Sequence, residues 1–338
     1  MLLTNSTPWP AERLVTMDRH GREVLQVVVK QSFDVGEGSV RPAAQPDPLV
    51  LADQYTGEPG KSGLRYASDL GPPKPATDVI LCGHALPRRR GDTQVDVALR
   101  LGAINKVVSV SGERLWARGL LGQAPTAPQP FERIPLVWER AFGGSDESNP
   151  ERPGRCDANP VGRGFRARGS KLPTEGQLLP NLESPAEPIR KPSDAPAPRC
   201  FGFVAPHWAP RAGFAGTYDA RWQEARMPLL PDDFDERFFQ VAPADQILPG
   251  HPRGGEAVEV IGVSAAGPLR FQLPQAAPAV VVRLGLTRLT PDTQCDTVVI
   301  DADRQRLILV WRALVPVHCR VDQIEWIKIA PARSAAHV

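Results

Sequence analysis

Apolar and polar residues alternate with a period of two at both ends of the chain and lose that order in its middle. Such alternation places one row of side chains on each face of a β-strand, so both ends are expected to form sheet. Near the start, residues 14–18 and 23–33 flank the turn-like Arg19-His20-Gly21, and the second run, EVLQVVVKQSF, is rich in β-branched residues. Strand patterns resume at 78–84 and at 94–101, where Val95, Val97 and Leu99 alternate with polar neighbours. Residues 107–110, a Ser111-Gly112 turn and residues 114–117 read as a hairpin. Later, 257–263, 269–273, 279–286, 297–300, 307–313 and 323–329 all fit strands, with Asp301-Ala302-Asp303-Arg304 as a hairpin turn. The buried face of 323–329 stays open, because isoleucine falls in both alternating rows.

Helical periodicity is scarce, and residues 219–226 are the best candidate for a short helix. Prolines explain much of this: the chain has 37, alongside 29 glycines. Each proline lacks an N–H and restricts the residue before it. Residues 36–76 read as loop, and residues 173–198, with seven prolines, as extended chain. The expected fold is therefore mainly β, with an antiparallel or sandwich-like core, long proline-rich ordered loops and little helix. One domain is expected over 1–338. It divides into an N-terminal β part (about 1–124), a proline- and aromatic-rich insert (about 125–255) and a C-terminal β part (about 256–330), the two ends sharing a core.

The insert holds an unusual stretch. Residues 201–239 carry nine of the chain's 21 aromatic residues, interleaved with Arg211, Arg221, Arg226, Arg237 and several acids. This density suggests guanidinium groups stacked on rings and paired with carboxylates. Before it lies a basic run, with Arg152, Arg155, Arg163, Arg166, Arg168 and Lys171 against Asp157 alone.

Charge narrows the partners. A net charge of +2, from 40 basic and 38 acidic residues, gives no ground for nucleic acid or an anionic membrane as partner. The first residues lack a basic leader followed by an apolar run, and the longest apolar stretch, 307–317, is short and broken by Arg312. No membrane insertion and a cytoplasmic location are expected. Five scattered cysteines without a CxxC pair predict neither disulfides nor a bound metal or other cofactor.

Several catalytic motifs fail on context. Gly60-Lys61-Ser62 lacks the first glycine of a phosphate loop, and Gly162-Arg163-Gly164-Phe165-Arg166-Ala167 follows no strand and opens no helix. Cys82/His84 and His318/Cys319 lie in strand-like runs, where core packing explains them. Asp232, Asp233 and Asp235, with Trp208 and Trp222, leave one enzymatic alternative: a carbohydrate-active enzyme working through carboxylates in a tryptophan-lined cleft.

Seven short strings, taken in order, carry a stronger signal. They are WERAFGG from Trp138, NPVGRGF from Asn159, LPNLE from Leu179, GTYD from Gly216, Trp222, LPDDFD from Leu230 and APADQ from Ala242. Together with the opening from Asn5 to Phe33, they resemble the bacterial domain-of-unknown-function family encoded beside type VI secretion spike genes. The resemblance covers residues 5–275, and Ser32 stands where threonine is expected. It implies a non-enzymatic adaptor or chaperone that binds a toxic effector, often one with a PAAR-type spike-tip domain, and aids its loading onto the spike complex. The matched positions are Trp138, Arg140, Asn159, Arg163, Asn181, Glu183, Trp208, Arg211, Tyr218, Asp219 and Trp222, each with either a partner-contact or a structural role. Arg166 and Arg168 join them as candidate contacts. Trp208, Arg211, Trp222, Arg163, Arg166 and Arg168 are the expected contact set, whereas Phe201, Phe214, Phe234, Phe238 and Phe239 are expected to be mostly buried.

Overall fold

The computed structural model describes residues 1–36, 38–119, 122–317 and 321–331. His318 and Cys319 lie outside the described residues. The alternating ends do form sheet, and they form it with each other. The long strand Glu23–Gly36 pairs on one side with Ala11–Met17 and on the other with Arg306–Pro316, with Val29 opposite Trp311. Arg306–Pro316 continues into Thr293–Asp301, which lies parallel to Thr77–Cys82, and Ile247–Leu248 closes that edge. A second sheet orders Leu182–Glu183, Ile104–Ser111, Gln94–Leu101, Ala257–Ile261 and Leu269–Gln272. A third joins Leu2–Asn5, parallel, to Ile324–Ala330, then Ala279–Leu284 and Thr287–Leu289. The fold is mainly β as its alternation predicts, but parallel pairs make the first and third sheets mixed rather than antiparallel.

All three sheets feed one apolar cluster that runs from Trp9 to Ile329. The middle of the chain enters it too, through Cys200, Phe201, Phe203 and Trp208. Within Ile324–Ala330, a register shift opposite Leu284 buries Ile324, Ile327 and Ile329 and leaves Glu325 and Lys328 exposed.

Alternation fails in Glu23–Gly36 because Leu25 through Phe33 are buried on both faces. The polar row Gln26 and Lys30 is covered by the proline-rich loop of residues 43–76, which brings the partners those groups need. Lys30 Nζ pairs with Asp69 at 2.8 Å, and Gln26 Nε2 donates to the Gly71 carbonyl. Arg312 pairs with Asp296 at 2.5 Å and donates to the Gly71 and Asp69 carbonyls. Buried charges are tolerated only with such partners.

The hairpin expected around Ser111-Gly112 is not present. Ile104–Ser111 pairs instead with Gln94–Leu101 through a two-residue turn at Gly102, whose φ is +56°. Gly112 runs on beside Gln129, whose carbonyl oxygen would lie 1.8 Å from an added Cβ. The strand Trp116–Gly119 then pairs with Gly122–Pro125. The expected helix forms as Ala220–Ala225, where the Asp219 side chain caps the N-terminus by accepting from Trp222 N at 2.8 Å. Among the described residues no helix is long and apolar enough to cross a membrane.

Candidate functional site

Three of the matched strings, WERAFGG, NPVGRGF and LPNLE, meet in one knot beside the second sheet. Arg140 Nη1 donates to Glu113 Oε1 at 2.6 Å and to Asn181 Oδ1 at 3.2 Å, while Arg163 Nη1 stands 3.5 Å from Glu113 Oε2. Burial and the neighbouring Arg140 cation hold the Arg163 guanidinium below its usual pKa. Asn159 Nδ2 donates to the carbonyls of Trp138 and Phe142, fixing the bend of WERAFGG. Asn181 Nδ2 donates to the Ser111 carbonyl. Glu183 pairs with Arg114 at 2.8 Å in a buried setting, where burial pushes its carboxyl up against the pull of that arginine.

These contacts reassign several candidates. Trp138, Asn159, Asn181 and Glu183 are buried and hold chain segments together, the structural one of their two roles. Trp208, expected as a contact, is corrected: it is wholly buried, edge-on to Trp138 at 5.8 Å between ring centroids. The apolar packing of its indole against the core outweighs any exposure. Arg211 is likewise fixed, donating to the carbonyls of Phe238 and Val204, with burial lowering its pKa. Arg166 binds the Leu172 carbonyl at 2.6 Å, and Arg168 is exposed.

The APADQ string serves the core. Lys106 Nζ, almost fully buried, donates to Asp245, Gln246 and the Cys200 carbonyl. Asp78, also buried, accepts from Gln240 Nε2 and from the Val241 and Ala242 amides. Together these anchor residues 240–246 beneath the aromatic stretch.

That stretch behaves as its composition predicts. Arg237 stacks over Phe214 at 4.3 Å and pairs with Asp235, and Arg211 lies over Phe238 at 5.3 Å. Phe201 and Phe234 are buried, while Phe214, Phe238 and Phe239 are half-buried. The three carboxylates weighed for catalysis have local duties. Asp233 accepts from Thr217 N and Oγ1, Asp235 caps the turn Glu236–Phe239, and Asp232 pairs with Arg226 at 3.0 Å. Trp208 is buried in the core, so a cleft shared with it does not form.

The outer part of the stretch is exposed. Tyr218 packs edge-on against Trp222 at 4.7 Å, and Trp222 Nε1 donates to the Leu229 carbonyl. Arg226 bonds the Arg19 carbonyl, and Leu229 touches Gly21, so the projection leans on the hairpin tip of the first sheet. Tyr218 is 50% exposed, and Met227 and Met17 are each 63% exposed. Met17 also lines a cavity of about 300 Å³, with Val24, Pro72, Leu230, Phe234 and Leu314 on its apolar side and Asp18, Arg19, Arg22 and Glu236 on its charged side. Neither exposed methionine carries a sequence signal, because an isolated Met in a chain reads no differently from other surface residues.

The family model described as "Uncharacterized protein conserved in bacteria (DUF2169)" matches residues 20–312. The chain belongs to this family. The matched span of this DUF2169 protein takes in the whole knot and the exposed aromatic projection. No curated protein and no solved structure matches the chain.

Proposed function

We propose that this DUF2169 protein is an adaptor or chaperone of the type VI secretion system. It binds a toxic effector in the cytoplasm, one carrying a PAAR-type spike-tip domain, stabilises it and aids its loading onto the secretion spike. The observation that carries the reading is the exposure of the large side chains Tyr218, Met227 and Met17, the last at the edge of a cavity with a mixed apolar and charged lining. Aromatic and methionine side chains supply adaptable contact area at protein interfaces. The resemblance of the seven ordered strings to the secretion-associated family is the ground for choosing an effector as the partner. The engagement of Asp232, Asp233 and Asp235 in local bonds favours binding over carboxylate catalysis.

The test is a pull-down from native cells with the wild-type protein and with a Tyr218→Ala/Met227→Ala double variant, read by mass spectrometry. A spike-tip effector recovered with wild type and depleted with the variant is the expected result. Equal recovery with both proteins, or a recovered set lacking any secreted effector, overturns the proposal.

A further inference from the structure

Behind the turn that carries Trp138 and Glu139 lies a second cavity, of about 290 Å³. Its apolar wall is built from Tyr66, Trp138 and Phe203, and its polar wall from Glu139, Asp301 and Asp303. Tyr66 and Phe203 meet edge-on at 6.1 Å, and the Trp138 indole is locked by donating to the Phe203 carbonyl at 2.8 Å. The aromatic side is therefore rigid and preformed.

The lining itself carries three carboxylates, Glu139, Asp301 and Asp303, and one arginine, Arg65. The Asp301 side chain is only 8% exposed, and its Oδ1 accepts from Arg304 N at 3.1 Å. Its Oδ2 has Arg304 Nη1 no nearer than 3.9 Å, because that guanidinium is drawn to Asp47 at 2.6 Å. Glu139 Oε1 accepts from Thr56 Oγ1 and Gly63 N, and its buried Oε2 has no partner among the described residues. Asp303 bonds His84 Nδ1 at 2.7 Å, with Arg133 Nη2 at 3.6 Å. The remaining cation at the rim, Arg65, lies over Tyr66 at 5.6 Å. Burial pushes the Asp301 carboxyl up against the pull of Arg304, and the nearby carboxylates Asp303 and Asp47 add to the rise. The Tyr66 hydroxyl is also pushed up, by burial and by Cys82 and Asp301. Core packing does not account for His84, contrary to the expectation from its strand-like surroundings: it stands half-exposed at this cavity, paired with Asp303.

Rings on one wall, and on the other carboxylate oxygens without a close partner at Glu139 Oε2 and Asp301 Oδ2, are the chemistry that recognises an organic cation. A metal ion fits less well: among the described residues no group of three His, Cys, Asp or Glu side chains is placed to hold one. We infer that the cavity takes the guanidinium tip of an arginine side chain presented by the bound partner protein, stacked on the aromatic wall and paired with Asp301. This inference rests on the protein-binding reading above, and it gives that reading a specificity pocket: the partner must present an arginine.

The test is a titration of ¹⁵N-labelled protein, followed by NMR at the Trp138 indole N–H. The probes are acetyl-Gly-Arg-Gly-amide, the same peptide with neutral citrulline in place of arginine, and free agmatine. The arginine peptide is expected to shift the Trp138 signal, with citrulline at least about tenfold weaker and Asp301→Asn weakening the arginine peptide by about tenfold. Equal binding of the citrulline peptide, or no shift at about 10 mM arginine peptide, overturns the inference. Agmatine binding more tightly than the peptide also overturns it, since the cavity would then serve a free small cation. Should Asp301→Asn fail to fold, the arginine and citrulline probes on wild type decide alone. The two proposals fail separately: a pull-down without an effector leaves the arginine titration intact, and a silent titration leaves effector capture intact.

Discussion

A Cβ placed on Gly143 would lie 2.2 Å from the carbonyl oxygen of Asn159. The two residues belong to different matched strings, and they are held together because Asn159 Nδ2 donates to the carbonyls of Trp138 and Phe142, just before Gly143. Gly143 also has φ of +151°, a conformation that side chains rarely adopt. Gly143→Ala is expected to lower stability by roughly 1–3 kcal/mol, through strain and overpacking. Chemical denaturation checks this, and an unchanged midpoint would contradict it.

The Arg114–Glu183 pair sets a second expectation. Glu183→Gln leaves a buried guanidinium without its counter-charge, which should cost about 3–5 kcal/mol. Replacing both residues by apolar ones of similar volume should recover most of that loss, because neither charge then needs desolvating. Denaturation midpoints of the single and double variants, compared in one cycle, decide it.

Trp208 and Tyr218 should respond in opposite ways to alanine. Trp208→Ala empties a core site and is expected to lose about 3–5 kcal/mol of stability. Tyr218→Ala should change stability by no more than about 0.5 kcal/mol while weakening partner capture by about 2 kcal/mol. Thermal melts and a binding titration with the recovered partner separate the two. A Tyr218 variant that melts early but binds normally would place this residue in the fold rather than the interface.

Acid should loosen the loop around Asp146. Burial opposes ionisation of that carboxyl, but hydrogen bonds from Ser148, Ser170 and the Ala167 amide outweigh it and hold the pKa at about 2. A carboxyl depressed below its unfolded value of about 3.9 contributes stability that is complete above that value. The contribution is lost as pH falls through about 2. Asp146→Asn should therefore be less stable than wild type at pH 5, and the gap should close toward pH 2. Urea midpoints across that range test it; a gap independent of pH would show that the carboxylate charge contributes nothing.

What the sequence made legible was local. The helix Ala220–Ala225 could be read because its cap, Asp219, is its immediate neighbour. The stacking of arginines on rings in residues 201–239 could be read because the partners share one stretch. The failed hairpin at Ser111-Gly112 shows the limit. A Ser-Gly pair looks like a turn, yet Gly112 is there because the Gln129 backbone passes against it. The burial of Trp208 is hidden in the sequence for the same reason, since the rings that bury it, such as Trp138, come from elsewhere in the chain. The arginine-sized cavity was illegible for that reason too. Its carboxylates come from Glu139, in the middle of the chain, and from Asp301, in a late hairpin.

The seam between Glu23–Gly36 and Arg306–Pro316 has a consequence for biosynthesis. At roughly 5–20 residues per second, a ribosome needs on the order of 15–60 s to pass from one strand to the other. Throughout that interval the first strand has emerged with its apolar row complete and one hydrogen-bonding edge open. Pairings this distant in sequence close slowly even once both strands are free. The nascent chain must therefore be kept from pairing with other chains until its last strands arrive, and the yield of folded protein should depend on how well the cell shields it during translation.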